Sequence, residues 1–367
     1  MIDETILKSE EKAIFALRAL YKKYGYLPFK MNKFEEYELY LENKDFLVSN
    51  RIITFNDTTG KLLALKPDVT LSIIKNCTDA PGCKQKTVYN ENVYRVSGST
   101  GQYKEIMQTG LECIGDLDLY DIFEVLSLAA QSLGLIEPAF ELDISHLGVL
   151  SALLEEAGGD EAFRKKASAY LAEKNTHDLE RLCRSAGIEP EKAARLVAVA
   201  GIYGERKSVL EKLLPLCESD AAKAAWEELK ALDALLSLSE YSQNICYDFS
   251  VVNDMAYYNG IVFKGFLKGI CEGVLAGGRY DKLMQKMGKK SGAIGFALYL
   301  DLLEENKAPS AVFDVDTLLL YDAATPLDEV FRVVRQLTSE GLSVSAQRAV
   351  PEKLRCRRVL DLRKERA

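Results

Sequence analysis

Polar side chains suited to a small-molecule site lie in four separate segments of this 367-residue sequence. Gln108 and Glu112 stand four residues apart in YRVSGSTGQYKEIMQTGLECIG (94–115), so a β-strand there would place both on one face. Arg95, near the start of the same segment, offers the planar guanidinium that binds phosphate or carboxylate with two parallel hydrogen bonds. Together these groups indicate a site for a small charged ligand.

The remaining candidates lie in LKPDVT (65–70), MAYYNGIVFKGF (255–266) and AGGRYD (276–281), and they are Asp68, Thr70, Tyr257, Tyr258 and Tyr280. Structural alternatives stay open on the sequence alone. Glu112 could be a solvated strand residue, the tyrosine pair could be core aromatics, and Arg279 could form a structural ion pair behind the glycine turn. His146 and His177 are interpreted as an interior or surface histidine each, not as catalytic groups.

The elements that must position these residues group antiparallel strands together and keep helices in separate segments, which favours the α+β class. A helix is predicted over 8–24, ended by Gly25 in the left-handed conformation. The next predicted elements are strands within 51–75 around a TTG turn, strands at 88–96 and 106–114 joined by a loop at 97–102, a helix at 118–134 closed by Gly134, and a strand at 139–144. Residues 147–240 are rich in Ala, Leu, Glu and Lys and predict several short helices.

Strand signals return after this helical insert. They are predicted at 245–252, 257–266 and 270–275, followed by a glycine turn at 276–281 and helices at 281–287 and 293–305. Pro309 marks a linker, after which a strand, a helix and a strand are predicted, and the basic tail 348–366 is interpreted as a solvated helix. The predicted domains are 1–146 and 241–307 (one core in two parts), 147–240 (helical insert) and 310–367 (a partial α/β segment).

Composition restricts the function classes. The net charge of −8 argues against a broad nucleic-acid-binding face. Eight cysteines without a CxxC pair, together with only two histidines, argue against a zinc site and predict no metal and no cofactor. The scattered cysteines indicate reduced thiols in a cytoplasmic protein. No signal peptide is expected at the charged N-terminus, and no apolar run is expected to reach the roughly 20 residues of a membrane span.

Three segments together resemble the catalytic domain of the histidyl-tRNA synthetase family, a class II aminoacyl-tRNA synthetase fold. LKPDVT resembles the family's Leu-Arg-Pro-Glu-Gly-Thr pattern, 94–115 resembles its motif 2 hairpin, and 255–266 with AGGRYDKLMQKMG and AIGFALYLDLL resembles its histidine-pocket strand and motif 3. The resemblance covers roughly residues 1–305. It implies an antiparallel sheet with flanking helices, a helical insert, a truncated C-terminal α/β unit and a homodimer, although Asn32 replaces the proline expected in motif 1.

The resemblance also shows which chemistry has changed. Members that form an adenylate use arginines to neutralise the α-phosphate as it is attacked. Arg95 keeps the first of these, but Ser97, Gln102 and Lys104 replace other charged residues of motif 2. The arginine of the histidine-pocket strand becomes Asn253, and that of motif 3 becomes Leu302. We therefore expect that amino-acid activation has been lost and that no residue of this chain is catalytic.

The amino-acid pocket is better preserved. The resemblance implies that Asp68, Thr70 and Gln108 surround the amino group of histidine, and that Glu112 and Tyr258 bind its imidazole. Tyr280 would lie at the pocket wall, with Tyr257 and Arg95 also at the site.

The family includes a paralogue that is not a synthetase. It lacks a complete anticodon-binding domain, pairs with a short catalytic subunit of ATP phosphoribosyltransferase, and is thought to mediate feedback inhibition by histidine. The resemblance thus implies a regulatory subunit, a hetero-oligomer with histidine as effector, and no tRNA or membrane partner. The alternatives are an active histidyl-tRNA synthetase and a tRNA-independent ligase that activates an amino acid. Intact arginines at 253 and 302 would have favoured either one.

Overall fold

The computed structural model describes residues 7–47, 51–97, 100–252, 257–305 and 313–363. The chain divides into two compact units, 1–306 and 307–367. The helices are α1 Ser9–Lys23, α2 Tyr37–Glu42, α3 Thr70–Asn76, α4 Leu119–Ile136, α5 Leu147–Ala157, α6 Glu161–Ala172, α7 Thr176–Ser185, α8 Pro190–Ala200, α9 Arg206–Leu213, α10 Asp220–Leu236, α11 Asp281–Lys286, α12 Asp301–Glu305 and α13 Leu327–Ser339. The strands are β1 Leu27–Pro28, β2 Phe34–Glu36, β3 Thr54–Asn56, β4 Leu62–Leu65, β5 Lys84–Val96, β6 Tyr103–Gly115, β7 Phe140–His146, β8 Tyr203–Gly204, β9 Ile245–Asp248, β10 Ile261–Leu267, β11 Leu275–Arg279, β12 Gly292–Tyr299, β13 Val315–Leu320, β14 Val344–Gln347 and β15 Cys356–Asp361.

A large mixed sheet organises the first unit. Within the described residues it has nine strands in the order β1-β5-β6-β12-β11-β10-β7-β9-β8. The β1–β5 and β7–β9 pairs are parallel and the others are antiparallel. Strands β5 and β6 form a long hairpin with 13 residues on each side, and β12 pairs with β6 along its other edge. This arrangement agrees with the predicted α+β class. It places candidate segments on β5, β6, β10 and β11, with β12 between β6 and β11.

The helical insert is continuous with the sheet. Helices α5 to α10 occupy the region predicted to be helical, and they share one hydrophobic core with β7, β9 and β10. Several of these helices begin with a side chain that accepts a backbone N–H, as Asp160, Asn175 and Ser219 do. The insert therefore packs directly on the strands that lie beside the candidate site.

Helix α4 departs from the expectation that no apolar run would reach the length of a membrane span. Its 18 residues are long and apolar enough to cross a membrane by length and composition. Of this span, 56% is buried, however, because α4 packs against the large sheet and α1. The apolar character of α4 is thus explained as that of a core helix. Gly134 was expected to close this helix, but it lies inside it, where a Cβ would meet the ring of Tyr241 at 2.8 Å.

Four further predictions within the first unit are wrong. Residues 270–274 do not form the expected strand, since β11 begins only at Leu275. Residues 70–76 form helix α3 instead of a strand, because Pro67 interrupts the extended run and Asp68 accepts a hydrogen bond from the N–H of Leu71 at 2.9 Å. The glycine turn at 276–281 is largely strand β11. A Cβ on Gly277 would lie 2.4 Å from the carbonyl oxygen of Gly295, so glycine here permits close strand approach. The helix predicted at 293–305 is mostly β12, with only the short α12 after it.

The second unit is a three-stranded parallel sheet in the order β14-β13-β15. The strand, helix and strand up to β14 follow the prediction, and α13 packs on the sheet through Val330, Val333 and Val334. The prediction of a solvated helix in the tail (348–366) is wrong. Residues Cys356–Asp361 instead form β15, which satisfies its backbone by pairing with the buried strand β13.

Candidate functional site

A cavity of about 400 Å³ lies against β5, β6, β11 and β12. All eight residues predicted for the site line it: Asp68, Thr70, Arg95, Gln108, Glu112, Tyr257, Tyr258 and Tyr280. These residues come from segments up to 212 positions apart in the chain, between Asp68 and Tyr280, and the sheet brings them together. The volume is within the range of small-molecule sites.

Glu112 forms the floor of the cavity and is 2% exposed. Its carboxyl accepts hydrogen bonds from the hydroxyl of Tyr280 at 2.6 Å and from that of Thr70 at 3.0 Å. Burial raises the pKa of Glu112 to about 8, an effect that the two hydroxyl donors partly oppose. Glu112 is therefore not the solvated strand residue of the alternative interpretation.

Glycine at position 295 makes room for this carboxyl. Gly295 lies opposite Glu112 in the β6–β12 pairing, and a Cβ there would fall 1.8 Å from Oε2 of Glu112. Any larger residue at this position would push the glutamate out of its place beneath the cavity.

Aromatic side chains form one wall. The rings of Tyr257 and Tyr258 are 4.4 Å apart, and Tyr257 lies 5.8 Å from Tyr280 and 6.0 Å from Phe46. Tyr257 and Tyr280 belong to the second hydrophobic core of the unit, so they serve packing as well as lining the cavity. Burial raises the pKa of both phenols far above the usual value, which keeps them as neutral hydrogen-bonding groups.

The opposite side is polar. Arg95 donates through Nε to the carbonyl oxygen of Pro67 at 3.1 Å, and its charge counteracts the burial that raises the pKa of Asp68. Gln108 is 3% exposed, and its Nε2 has no hydrogen-bond partner among the described residues. A buried amide donor without a partner costs about 1–3 kcal/mol, so it favours a ligand that supplies an acceptor.

The charged side chains among the described lining residues are Asp68, Glu112 and Arg95. Two carboxyls and one guanidinium suit a small zwitterion with several hydrogen-bonding groups. They do not suit a polyphosphate, which needs several cations. Leu302 lies on α12, where it packs against the main core away from the cavity lining. Asn253 lies outside the described residues.

Several lining residues escaped the sequence analysis, chiefly Tyr89, Gly295 and Tyr299. Tyr89 could have been found, because the two-residue period of β5 places it on the face of Arg95. Tyr299 lies opposite Gln108 in the β6–β12 pairing. It was missed because 293–305 was assigned to a helix, so its partner strand could not be inferred.

Outside the cavity, the alternative interpretation of Arg279 is confirmed, since its Nε lies 2.7 Å from Oδ2 of Asp281. His146 is 3% exposed and accepts the N–H of Gly148 through Nδ1, whereas His177 is exposed. All eight cysteines are free. The side chains of Glu141, Asp143 and Cys246 come within 4.8 Å of one another on β7 and β9. These three take no part in the cavity lining.

The family model for histidyl-tRNA synthetase matches residues 3–303 of the chain. An ATP phosphoribosyltransferase regulatory subunit from Oceanobacillus iheyensis is 26% identical over 283 residues, covering 76% of this chain and 69% of that protein. The structure of an ATP phosphoribosyltransferase regulatory subunit/histidyl-tRNA synthetase from Bacillus halodurans has a TM-score of 0.76 at 23% identity, covering 98% of this chain and 96% of that one. The ATP phosphoribosyl transferase (HisG:HisZ) complex from Thermotoga maritima has a TM-score of 0.63 at 22% identity, covering 79% and 97%. These structural similarities show a class II synthetase fold.

Proposed function

This chain belongs to the histidyl-tRNA synthetase family, and we propose that it is the regulatory subunit of an ATP phosphoribosyltransferase in histidine biosynthesis. Relatives that carry this name match the chain over most of its length, at 25–28% identity. In this proposal the chain is a non-catalytic, allosteric protein, and the phosphoribosyl transfer takes place on its partner.

The observation that carries the proposal is the charge of the cavity. Its described lining retains groups for an amino acid, yet Arg95 is its sole cationic member. Adenylate formation must stabilise ATP and a developing charge on the α-phosphate, and loss of one donor for such charge typically costs about 3–4 kcal/mol in activation free energy. Leu302 in place of the motif 3 arginine, together with Asn253 in the sequence, supports the loss of this reaction.

The proposed ligand is free histidine. Glu112 and Tyr258 are the proposed partners of the imidazole, and Asp68, Thr70 and Gln108 those of the amino group and its surroundings. Tyr257 and Tyr280 form the wall, and Arg95 is a cation available to the carboxylate. Histidine bound here would act as a feedback effector, because a ligand regulates through its different affinity for two states of a complex.

The proposed assembly is a hetero-oligomer with a short-form catalytic subunit, built on a homodimer of the core (1–146 and 241–307). The proposed partners include no tRNA and no membrane. The insert (147–240) and the C-terminal segment (310–367) complete the proposed domains. A cytoplasmic location follows from the biosynthetic role.

Light scattering of the chain, alone and mixed with a purified short-form catalytic subunit, tests the assembly. We expect a homodimer alone and a larger complex in the mixture. Histidine-dependent ATP–pyrophosphate exchange tests the chemistry, and we expect none above background. Exchange by the isolated chain would instead support the alternative, an active synthetase or a tRNA-independent ligase, and would refute the proposal.

A further inference from the structure

A group of polar side chains lies behind the cavity wall and reaches into the helical insert. It consists of His146, Glu228, Asn259, Arg279 and Asp281, which we call the junction cluster. None of these residues lines the cavity. Hydrogen bonds and ion pairs nevertheless connect them in the order Asn259, Asp281, Arg279, Glu228 and His146, from the cavity side to α10 of the insert.

Asp281 is the cavity-side end of the cluster. Its Oδ2 accepts from Nε of Arg279 at 2.7 Å and from Nδ2 of Asn259 at 3.1 Å, and its Oδ1 accepts from the N–H of Ala293 at 3.0 Å. Asp281 directly follows Tyr280, the residue whose hydroxyl holds Glu112. The carboxylate thus fixes the end of the strand from which Tyr280 reaches the cavity floor.

Asn259 ties a second part of the cavity to the same point. It follows Tyr257 and Tyr258 in the chain, and its N–H donates to the carbonyl oxygen of Arg279 at 2.8 Å. The next residue, Gly260, accepts through its carbonyl oxygen the N–H of Leu147, the first residue of α5, at 2.7 Å. A shift of the tyrosine wall would therefore act on the start of an insert helix.

Arg279 connects this arrangement to α10. Its Nη1 lies 3.8 Å from Oε1 of Glu228, and Oε2 of Glu228 lies 3.2 Å from Nε2 of His146. Nδ1 of His146 accepts from the N–H of Gly148 and so caps α5. Arg279 is held closely on the cavity side and loosely on the insert side, so a small movement of β11 would make or break its contact with Glu228.

We propose that the junction cluster transmits occupancy of the cavity to helices α5 and α10, and that the Arg279–Glu228 pair is the coupling contact. The inference rests on the proposed function, because it takes histidine as the ligand of the cavity. It adds that the insert is the element through which the bound state is passed on. Coupling of this kind is demonstrated by a ligand-dependent change in the insert that one pair controls.

The chain contains a reporter for the test. Trp226 is its single tryptophan, it lies on α10 two residues before Glu228, and its Nε1 donates to the carbonyl oxygen of Leu210 at 3.0 Å. Histidine has no overlapping emission. Binding should therefore change the Trp226 fluorescence, with a midpoint equal to the dissociation constant measured by calorimetry.

The test compares the wild type with Glu228→Gln and with Glu180→Gln. Glu228→Gln removes the charge that faces Arg279 and keeps an acceptor for His146. Glu180→Gln is the control, because it removes an exposed ion pair with Arg184 elsewhere in the insert. We expect all three proteins to bind histidine within about threefold of one another. The fluorescence change should fall by more than half in Glu228→Gln alone.

The possible failures are distinguishable. Calorimetric binding by the wild type without a fluorescence change would overturn the inference and leave the proposed function intact. A full fluorescence change in Glu228→Gln would also overturn the inference, because it would show that the Arg279–Glu228 pair is not the coupling contact. If calorimetry detects no histidine binding by the wild type, the proposed effector site is refuted, and the inference with it.

Discussion

Replacing Glu112 with glutamine should stabilise the protein at neutral pH while weakening its binding of histidine. The side chain is 2% exposed, and its carboxyl accepts from Tyr280 and Thr70. Glutamine has the same shape, and both hydroxyls can turn to donate to or accept from an amide. The substitution therefore removes the ionisable group with little change in packing.

The magnitude follows from the pKa of Glu112, which burial raises from 4.5 to about 8. Between these two values the folded protein keeps the proton that the unfolded chain has lost, so the free energy of unfolding decreases as the pH rises. Relative to a pH below both pKa values, the free energy of unfolding is lower by about 3 kcal/mol at pH 7 and by less than about 1 kcal/mol at pH 5. The difference in the free energy of unfolding between Glu112→Gln and the wild type should thus shift by about 2–3 kcal/mol in favour of the variant between pH 5 and pH 7.

Urea unfolding of both proteins at the two pH values measures this gain, and the comparison cancels any pH-independent effect of the amide. Glu180→Gln serves as the exposed control and should show no such gain. Calorimetry on the same samples should find histidine binding weakened roughly 10- to 150-fold, the equivalent of a lost hydrogen bond to a charged group. Equal stability differences at pH 5 and pH 7 would refute the buried, protonated carboxyl on which this reasoning depends.

Three further predictions concern the cavity and its support. Histidine affinity should be greatest between about pH 6.5 and pH 8, because the complex shares one proton between Glu112, whose pKa is about 8, and an imidazole of ordinary pKa. Above this window neither group carries the proton before binding, so the affinity should fall about tenfold per pH unit. Equal calorimetric affinity at pH 7 and pH 9 would contradict this prediction. Tyr280→Phe removes the 2.6 Å donor to Glu112 and should weaken histidine binding by about 1 kcal/mol, or roughly fivefold, in the same calorimetric assay. Lys66→Met leaves Glu91 without its buried ion-pair partner and should lower the free energy of unfolding by about 3–5 kcal/mol. Urea unfolding should show that adding Glu91→Leu recovers much of this loss. Stability losses of the two substitutions that simply add in the double variant would contradict this prediction.

The sequence predicted the cavity better than it predicted the elements around it. Period-two spacing placed Gln108 and Glu112 on one face of β6, and the resemblance joined them to distant residues such as Asp68 and Tyr258. Each of these relations depends on local alternation or on a recognised pattern. Two glycine predictions were wrong, because glycine marks helix ends and turns in many sequences, whereas here Gly134 lies inside α4 and Gly277 allows close packing inside the sheet.

Long-range contacts explain the other differences. The segment 292–299 is a strand because β6 and β11 pair with its two edges, and short-range periodicity does not encode those partners. In the same way, Cys356–Asp361 becomes a strand by pairing with β13. The sequence also did not indicate the junction cluster. A structural ion pair was left open as an alternative for Arg279, but its link to Glu228 in the insert was not predicted.

The central claim is that the chain regulates a partner enzyme through histidine and performs no synthetase chemistry. The most direct measurement is the rate of phosphoribosyl transfer by a short-form ATP phosphoribosyltransferase catalytic subunit, alone, with this chain, and with this chain plus histidine. We predict that the chain raises the rate, that histidine lowers it, and that Glu112→Gln raises the rate equally but requires roughly 10- to 150-fold more histidine for inhibition. A rate that the chain does not change would contradict the account, as would inhibition of the Glu112→Gln complex at the wild-type histidine concentration.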